Sequence, residues 1–347
     1  MRLTASEVAA TGAWIAGWQL PSGMIPWFPD GHADPWNHIE ATMALCLAGR
    51  VRESERALAW LASRQHPDGS WYRYYLAGGV EDPRRDTNVC AYVATGTWFH
   101  YLVTGDVRML EGMWPVVERA VRFVLRFQQP GGEILWSMEP DGAPGRFALL
   151  TGSSSILHSL RCALAIAGAV GFERPEWELA AGRLAHAVIH REHAFEPKDR
   201  WAMDWYYPVL CGARAGAAGR ARLLAGWNTF VLDGVGVRCV SDQPWVTAAE
   251  TAECVMALDA CGLRREAETL LSWTRHFRDP DGGYWTGCVH PQCVRYPGGE
   301  RSTYTAAAAL LADFALYGAG RAAGLFRGHT LLDVIDLAEA EQPVGDT

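Results

Sequence analysis

Apolar residues recur along most of the chain at the spacing of amphipathic helices, and start and stop signals divide this pattern into about twelve helices. The connections between these helices alternate strictly in length. Short turns lie at 49–50, 104–106, 171–174, 212–219 and 262–263, and long connections lie at 20–33, 67–85, 129–151, 192–203, 232–243 and 278–302. Because every second connection in a series of antiparallel helices lies at the same end, we expect all the long loops at one end, which we call the mouth.

Helix-capping residues mark the starts of the helices. Thr4 and Glu7 fit a capping box, and Asp34 followed by Pro35 fits an N-cap with proline at the first helical position. The remaining helices after long loops are predicted to open at Asp86-Thr87, Ser153–Ser155, Asp204, Gln243-Pro244 and Ser302-Thr303. The starts recur at intervals of roughly 40 to 67 residues, which is typical of a degenerate repeat of helical hairpins.

The helices fall into two classes by composition. Those after long loops are rich in small and apolar residues, as in 41–46, 162–167 and 306–311, and can pack around a central axis. The others have a charged stripe, as in 52–56 and 264–268, which is typical of a solvated outer surface. The pattern predicts an all-α, single-domain (α/α)6 toroid over residues 1–320, with six inner and six outer helices, followed by a C-terminal tail over 321–347.

Composition narrows the functional classes. The chain has 347 residues and is 49% hydrophobic, so it can bury a large core, and its net charge of −8 argues against a nucleic-acid partner. No apolar stretch approaches the roughly 20 residues of a transmembrane helix, and the first residues lead directly into a helix, so a cytoplasmic location is predicted. Nine scattered cysteines do not form a disulfide framework. No metal and no cofactor are expected, and nothing in the sequence determines an oligomeric state.

Three long loops open with a related phrase in which a glycine turn is followed by an aromatic residue. The phrases are Gln65-His-Pro-Asp-Gly-Ser-Trp71, Gln128-Gln-Pro-Gly-Gly-Glu-Ile-Leu-Trp136 and Arg278-Asp-Pro-Asp-Gly-Gly-Tyr-Trp285. Glycine supplies the turn geometry, and the aromatic ring can fold back on the helix ends. We therefore predict a structural role for these phrases and no catalytic role for Asp68 or Asp281.

These phrases, together with the helix pattern, resemble the repeats of the protein prenyltransferase and squalene/terpenoid cyclase superfamily of α/α toroids. The similarity covers most of residues 1–320 and is clearest at 279–311. The chain also resembles actinobacterial proteins described as prenyltransferase-like. The resemblance implies a toroid and an isoprenoid substrate, although a shared fold does not by itself imply a shared reaction.

The catalytic signatures of that superfamily are missing. Asp259-Ala-Cys261 matches the Asp-x-Cys motif of the superfamily's zinc site, but it lies at the end of a helix next to a short turn, away from the mouth. Where the zinc-binding histidine of the superfamily is expected, this chain has the segment around Tyr304. The cyclase proton-donor motif is reduced to Asp86-Thr87, with Arg85 at the donor position. Since arginine stays charged, it cannot supply that proton. The sequence therefore argues against both a zinc prenyltransferase and a protonation-initiated cyclase.

The N-termini of the inner helices point toward the mouth, where partial positive charge favours anions. Arg84 and Arg85 add to this charge and suit a diphosphate or a carboxylate. Asp34, Asp86 and Asp204 are the alternative, because they can cap the same helices without any ligand.

Aromatic and acidic side chains are predicted at the same end. The aromatic candidates for substrate binding can line an isoprenoid tunnel or stack on sugar rings, and they are Trp36, Trp205, Tyr206, Trp245, Trp285 and Tyr304. His38, Glu40, Arg84 and Arg85 complete the predicted binding set. The catalytic candidates are Asp34, Asp86, Asp204, Glu250 and Glu253. Glu250 and Glu253 lie one turn apart among small residues, where burial would be costly without a partner or a function.

Three functional hypotheses follow. The first is a prenyltransferase- or cyclase-like enzyme that acts without zinc on an isoprenoid or diphosphate-bearing substrate. The second is a carbohydrate-active enzyme, a glycoside hydrolase or epimerase, in which paired carboxylates from Asp34, Asp204 and Glu250 or Glu253 act as acid and base. The third is a non-catalytic toroid that binds a ligand. In the two enzyme hypotheses the partner is a small-molecule substrate, an isoprenoid or a sugar.

Overall fold

A computed structural model describes residues 2–334 of the chain. Its α-helices, apart from three short 3-10 turns at Glu192–Ala194, Thr274–Phe277 and Arg321–Gly324, are α1 (Ala5–Trp18), α2 (Pro35–Leu47), α3 (Val51–Arg64), α4 (Thr87–Ala91), α5 (Val93–Thr104), α6 (Val107–Leu125), α7 (Leu150–Ala169), α8 (Pro175–His190), α9 (Ala202–Leu210), α10 (Gly216–Phe230), α11 (Ala248–Ala260), α12 (Arg264–Trp273) and α13 (Thr303–Tyr317).

The helices form two concentric rings. The inner ring runs α2, α4–α5, α7, α9, α11, α13, with each member packed on the next and α13 packed back on α2. Helices α4 and α5 share one position in this ring and are separated at Tyr92. The outer ring is α1, α3, α6, α8, α10 and α12, each beside its inner partner. This arrangement is the predicted α/α toroid.

Short strands occupy the long connections, so the all-α prediction is too strict. They are β1 (Tyr74–Leu76), β2 (Gly79–Asp82), β3 (Arg85–Asp86), β4 (Ser137–Met138), β5 (Val231–Leu232), β6 (Gly236–Arg238), β7 (Trp245–Thr247), β8 (Trp285–Val289) and β9 (Val294–Arg301). Strands β5 to β9 form one antiparallel sheet in chain order, and β1–β2 and β3–β4 form two small pairs. The loops meet at one end of the toroid, so their backbone groups satisfy one another there.

Hydrogen bonds between separate loops confirm that the long connections share the mouth. Ala33 pairs with Tyr75, and the N–H of Thr303 donates to the carbonyl of Trp27. A further bridge joins Trp201 to Val240. The long loops are therefore a continuous, hydrogen-bonded collar around the mouth.

The observed helix starts agree only in part with those predicted from the sequence. Asp34 and Asp86 are N-caps whose carboxylates accept backbone N–H groups, as predicted. Asp204 is not the cap of α9, because Trp201 holds that position and Asp204 lies inside the first turn. Helix α11 starts at Ala248 rather than near Gln243, because β7 precedes it, and α7 starts at Leu150, before the predicted serines.

A repeated joint holds successive outer helices together. After four outer helices the chain turns through a glycine with positive φ, and that glycine lies against the backbone of the next outer helix. The side chain four positions before this glycine donates a hydrogen bond to a backbone carbonyl of the same outer helix. The four joints are Gln19/Gly23 on α3, Gln65/Gly69 on α6, Gln128/Gly132 on α8 and Arg278/Gly282 on α1.

The joints explain the repeated sequence phrases. Asp68 and Asp281 cap the turns by accepting backbone N–H groups of Ser70 and Gly283. Trp71 is buried, and its indole N–H donates to the carbonyl of Leu61. The predicted structural role of these phrases is thereby confirmed.

Residues that follow α13 lie across the end of the toroid opposite the mouth. Phe326 stacks on His158 with ring centroids 5.2 Å apart, and Arg327 donates to Asp259. The predicted boundary between toroid and tail at residue 320 stays a prediction, and the predicted tail over 321–347 extends outside the described residues. Between residues 2 and 334 no helix is both long and apolar enough to cross a membrane. The cytoplasmic location stays a prediction.

Candidate active site

A cavity of about 560 Å³ opens at the mouth, on the axis of the inner ring. Its wall combines acidic, aromatic and small apolar side chains from α2, α9, α11, α13 and the five-stranded sheet. The lining residues are Trp27, Phe28, His32, Trp36, Asn37, Glu40, Met203, Cys239, Thr247, Ala249, Glu250, Glu253, Thr286, Tyr296, Pro297, Glu300 and Tyr304.

The acidic groups from α2 and α11 lie at two depths. Asp34 is the N-cap of α2 and Glu250 lies in the first turn of α11, so both are at the level of the mouth. Glu40 lies six residues beyond Asp34, about 9 Å deeper, and Glu253 lies one turn beyond Glu250. The upper pair is therefore closest to a ligand that enters from the mouth, and the lower pair forms the floor.

Glu250 is the accessible member of the acidic set. Its side chain is half-buried, lines the cavity and accepts a hydrogen bond from the Thr247 hydroxyl, one turn earlier. The carboxylate therefore has contact with solvent inside the cavity as well as a fixed orientation.

Asp34 lies buried behind the cavity wall and holds Trp27, which belongs to that wall. The indole N–H of Trp27 donates to Asp34 at 2.6 Å, and both the backbone and side-chain N–H groups of Asn37 donate to the same carboxyl. The Trp27 ring also contacts Tyr304, with ring centroids 4.9 Å apart. Tyr304 belongs to α13, which lies between α2 and α11 in the inner ring, so it stands between Asp34 and Glu250.

The floor is a hydrogen-bonded group of acids and tyrosines. Glu253 accepts the hydroxyls of Tyr206 and Tyr207, the second at 2.7 Å. Glu40 accepts the indole N–H of Trp36 at 3.1 Å and the Tyr92 hydroxyl at 3.4 Å. The floor therefore joins the acids of α2 and α11 to aromatic side chains of three inner helices.

Burial changes the protonation of these acids. Desolvation raises the pKa of Glu40 to about 7, with a further contribution from the charge of Asp34. Desolvation also raises the pKa of Asp34 and raises that of Glu253 well above its usual range, where the neighbouring Glu40 adds to the effect. The cavity is consequently a place where carboxyl groups retain protons at a pH at which exposed ones are ionised.

Several predicted site residues lie away from this cavity. Asp86 is the buried cap of α4, and burial raises its pKa to about 6. Asp204 accepts hydrogen bonds from Thr151 and, with Trp205, borders a second cavity of about 900 Å³ between α9 and α10. Asp204 and Trp205 thus line a different cavity from Glu250, and their predicted catalytic and binding roles stay predictions.

His38 is a core residue rather than a binding residue. Its Nδ1 accepts the backbone N–H of Ile25 and its Nε2 lies 3.0 Å from the carbonyl of Ala57, so Nε2 bears the proton. Burial lowers the pKa of His38 to about 4. Its function is to tie α2 to α3 and to the loop before α2.

The two arginines predicted for an anion site are held by carboxylates. Arg84 forms a bidentate pair with Asp82, and Arg85 lies 3.4 Å from Asp68. Neither lines the cavity. A diphosphate site at these residues therefore has no support in the structure.

The remaining predicted aromatic residues differ in position. Tyr206 belongs to the floor through Glu253, and Trp245 stacks on the cavity-lining Tyr296 with centroids 5.1 Å apart. Trp285 donates to Asp279 and lies beneath Arg301, outside the cavity lining. Trp36 and Tyr304 line the cavity directly, and their role in substrate binding stays a prediction.

Sequence reasoning missed several cavity residues. Glu300 lies at the end of β9 and accepts a hydrogen bond from Thr286. Met203, Cys239 and Tyr296 also line the cavity and lie close to inner-helix starts or in the sheet. Glu300 could have been found from its position two residues before Ser302, since the other mouth acids also lie near inner-helix starts.

Across residues 2–334, no group of three or more histidine, cysteine or acidic side chains has the geometry of a metal site. Asp259, part of the zinc-like spelling, is instead held by Arg264 and Arg327 at the end opposite the mouth.

Comparison with known proteins identifies a close relative. The chain is 51% identical over 326 residues to an MMP endo-(1,4)-3-O-methyl-α-D-mannosidase of Mycolicibacterium hassiacum, and the alignment covers 94% of this chain and 90% of the relative. No protein-family model matches the chain.

Solved structures share the fold at low sequence identity. The GH63 mannosylglycerate hydrolase of Thermus thermophilus, in complex with glucose, superimposes with a TM-score of 0.67 at 13% identity, over 88% of this chain and 99% of the hydrolase. A D-mannose isomerase superimposes with a TM-score of 0.69 at 12% identity, over 90% of this chain and 96% of the isomerase. At these identities the likeness establishes the toroid alone.

The prenyltransferase and terpenoid cyclase assignment is therefore wrong, and with it the predicted transferase activity and isoprenoid substrate. The phrases behind that resemblance are the joints between outer helices, which an α/α toroid can need whatever its chemistry. With 51% identity over nearly its whole length, the chain belongs to the family of the Mycolicibacterium hassiacum endo-mannosidase.

Proposed function

We propose that this protein is a glycoside hydrolase that cleaves internal α-(1→4) linkages in a 3-O-methylmannose-containing chain. The relative's activity supports the substrate class. The observation that supports the chemistry is the pair Asp34 and Glu250 at the starts of α2 and α11, on either side of α13: Glu250 lines the cavity, and Asp34 is bonded to Trp27 of the lining.

Asp34 is the general acid of this proposal. Burial raises the pKa of its carboxyl, which favours the protonated form that must donate to the glycosidic oxygen as the C1–O bond breaks. Trp27 and Asn37 hold the carboxyl in one orientation.

Glu250 is the general base. It is half-buried and borders the open part of the cavity, where water can reach it. Glu250 removes a proton from water as the water oxygen bonds to C1, so that one proton enters at Glu250 and another leaves from Asp34 in each turnover. Its hydrogen bond with Thr247 holds the carboxylate toward the cavity.

The remaining wall suits a sugar ring. Aromatic rings of Trp27, Trp36, Tyr296 and Tyr304 border the cavity and can pack on the C–H faces of a pyranose. At the floor, Glu40 uses one oxygen for Trp36 and Tyr92, and the other has no partner among residues 2–334. That oxygen can accept a sugar hydroxyl in the deepest part of the cavity.

The test is hydrolysis of an α-(1→4)-linked 3-O-methylmannose oligosaccharide, with products separated by length and identified by mass spectrometry. We expect internal cleavage and one new reducing end per event. Glu250→Gln should lower kcat/KM by about 10²- to 10⁴-fold, whereas Glu55→Gln, an exposed change on outer helix α3, should leave it unaltered. Isomerised sugar without chain cleavage, or full activity in Glu250→Gln, would contradict the proposal.

A further inference from the structure

One side of the cavity lacks strong hydrogen-bonding side chains. Met203 from α9, Cys239 from the segment after β6 and Ala249 from α11 form this side, which we call the apolar wall. The three residues are half-buried, so part of each faces the cavity. The carboxylate of Glu250 lies next to the Cys239 thiol at the edge of this wall.

The wall is held in place by backbone bonds. The N–H of Ala202, next to Met203, donates to the carbonyl of Cys239, and the N–H of Cys239 donates to the carbonyl of Trp245. Both backbone polar groups of Cys239 are therefore occupied. Ala249 is adjacent to Glu250 on α11, so the wall lies directly beside the proposed base.

The thiol in the wall stays neutral. Burial and the nearby Glu250 carboxylate raise the pKa of Cys239 well above its usual range. A thioether and a neutral thiol are only weak hydrogen-bond partners, and a methyl group is none. A sugar hydroxyl pressed against this surface would lose its water partners without replacement, whereas a methyl ether has no O–H donor to lose.

We propose that Met203, Cys239 and Ala249 receive the O-methyl groups of the substrate and make the enzyme select methylated over unmethylated mannose units. This inference rests on the proposed function and deepens it, because it assigns the selectivity to three residues. A methyl group in an apolar pocket changes kcat/KM by about 10- to 200-fold. The wall should therefore supply a preference of that size.

The experiment compares two α-(1→4)-linked mannose oligosaccharides of equal length, one with 3-O-methyl groups and one without. The measured quantity is the ratio of their kcat/KM values, for the wild type and for Met203→Gln and Cys239→Ser, which keep the side-chain size but add polar groups. Matched controls are Met109→Gln on outer helix α6 and Cys293→Ser in the β8–β9 turn, both half-buried and outside the cavity lining. Melting temperatures establish that each variant is folded.

We expect a wild-type ratio of about 10 to 200, a fall of at least about tenfold in both wall variants, and an unchanged ratio in both controls. The fall should come from poorer hydrolysis of the methylated chain and better hydrolysis of the unmethylated one. A wild-type ratio near one, or folded wall variants that keep the wild-type ratio, would overturn the inference and leave the hydrolase proposal standing. Failure of the wild type to cleave either chain would instead overturn the hydrolase proposal.

Discussion

Glu250 and Glu253 lie one helical turn apart on α11, yet their carboxyls have different surroundings. Glu250 is half-buried, accepts from Thr247 and borders the open cavity. Glu253 is only 6% exposed and accepts the hydroxyls of Tyr206 and Tyr207. Water in the cavity can therefore reach Glu250, whereas Glu253 is held by two tyrosines in the floor, where burial raises its pKa.

If Asp34 is the general acid, the loss of activity in Asp34→Asn should depend on the leaving group of the substrate. Asp34→Asn cannot donate a proton, so hydrolysis of an oligosaccharide should fall by about 10²- to 10⁴-fold. An aryl mannoside with an acidic phenol leaves without protonation and should lose much less activity. The ratio of the two kcat/KM values in wild type and variant tests this directly. Equal losses on both substrates would assign Asp34 to structure, as the cap of α2.

Glu40 predicts a pH-dependent stability. Because its folded pKa is about 7 and the unfolded value is near 4.5, the folded state binds more protons between these values. Glu40 therefore destabilises the fold progressively as pH rises from about 4.5 to 7. Glu40→Gln has no such charge, so its free energy of unfolding relative to wild type should rise over that interval and level off above it.

Urea unfolding of both proteins at several pH values from 4.5 to 8 measures this difference. The buried histidines titrate in both proteins and cancel in the comparison. A difference that does not change with pH would show that Glu40 has an ordinary pKa.

The floor predicts a penalty for removing one hydroxyl. Tyr207→Phe leaves Glu253 buried with one donor fewer, which should cost about 1–3 kcal/mol of unfolding free energy. Tyr101→Phe is the control, since Tyr101 is only half-buried and its hydroxyl has no partner among residues 2–334. Chemical unfolding at pH 7 distinguishes the two. Equal stability of both variants would show that the Tyr207 bond contributes nothing.

The joint on α1 predicts a large effect from one added methyl group. Gly282 has φ +96, and a Cβ there would lie 2.6 Å from the backbone of Ala10. Gly171 has φ +81 with open space around it. Gly171→Ala should therefore cost about 1–2 kcal/mol for the left-handed backbone alone, and Gly282→Ala should cost clearly more, because α1 must also move. Urea unfolding would contradict this if the two variants were equally stable.

The sequence was sufficient for the toroid and for the mouth, because loop length and capping residues are local signals. The same signals pointed to Glu40, Glu250, Trp36 and Tyr304, which line one cavity, and to Asp34, which is bonded to Trp27 of its lining. The same signals misplaced the start of α9. Its N-cap is Trp201 rather than Asp204, so Asp204 and Trp205 lie on other faces of the helix than an Asp204 cap would give them.

Local sequence signals did not predict the five-stranded sheet. Strand β7 pairs with β8 between residues about forty positions apart, as between Trp245 and Val289, and β9 joins the sheet through its hairpin with β8. The β7–β8 pairing places this hairpin, with Tyr296 and Glu300 on β9, at the cavity, and no short-range pattern indicated it. The family error has a related origin, because the repeated phrases are determined by helix-to-helix contact and contain no information about the reaction.

The fourth joint has a consequence for how the molecule unfolds. Arg278 and Gly282 rest on α1, so the last long loop is attached to the first helix and the array has no terminal repeat. Open arrays fray from their ends, and their repeats melt one after another. A circular array has no such starting point, so the whole toroid should lose its structure in one concerted transition, with acids from α2 and α11 separating only when every hairpin does.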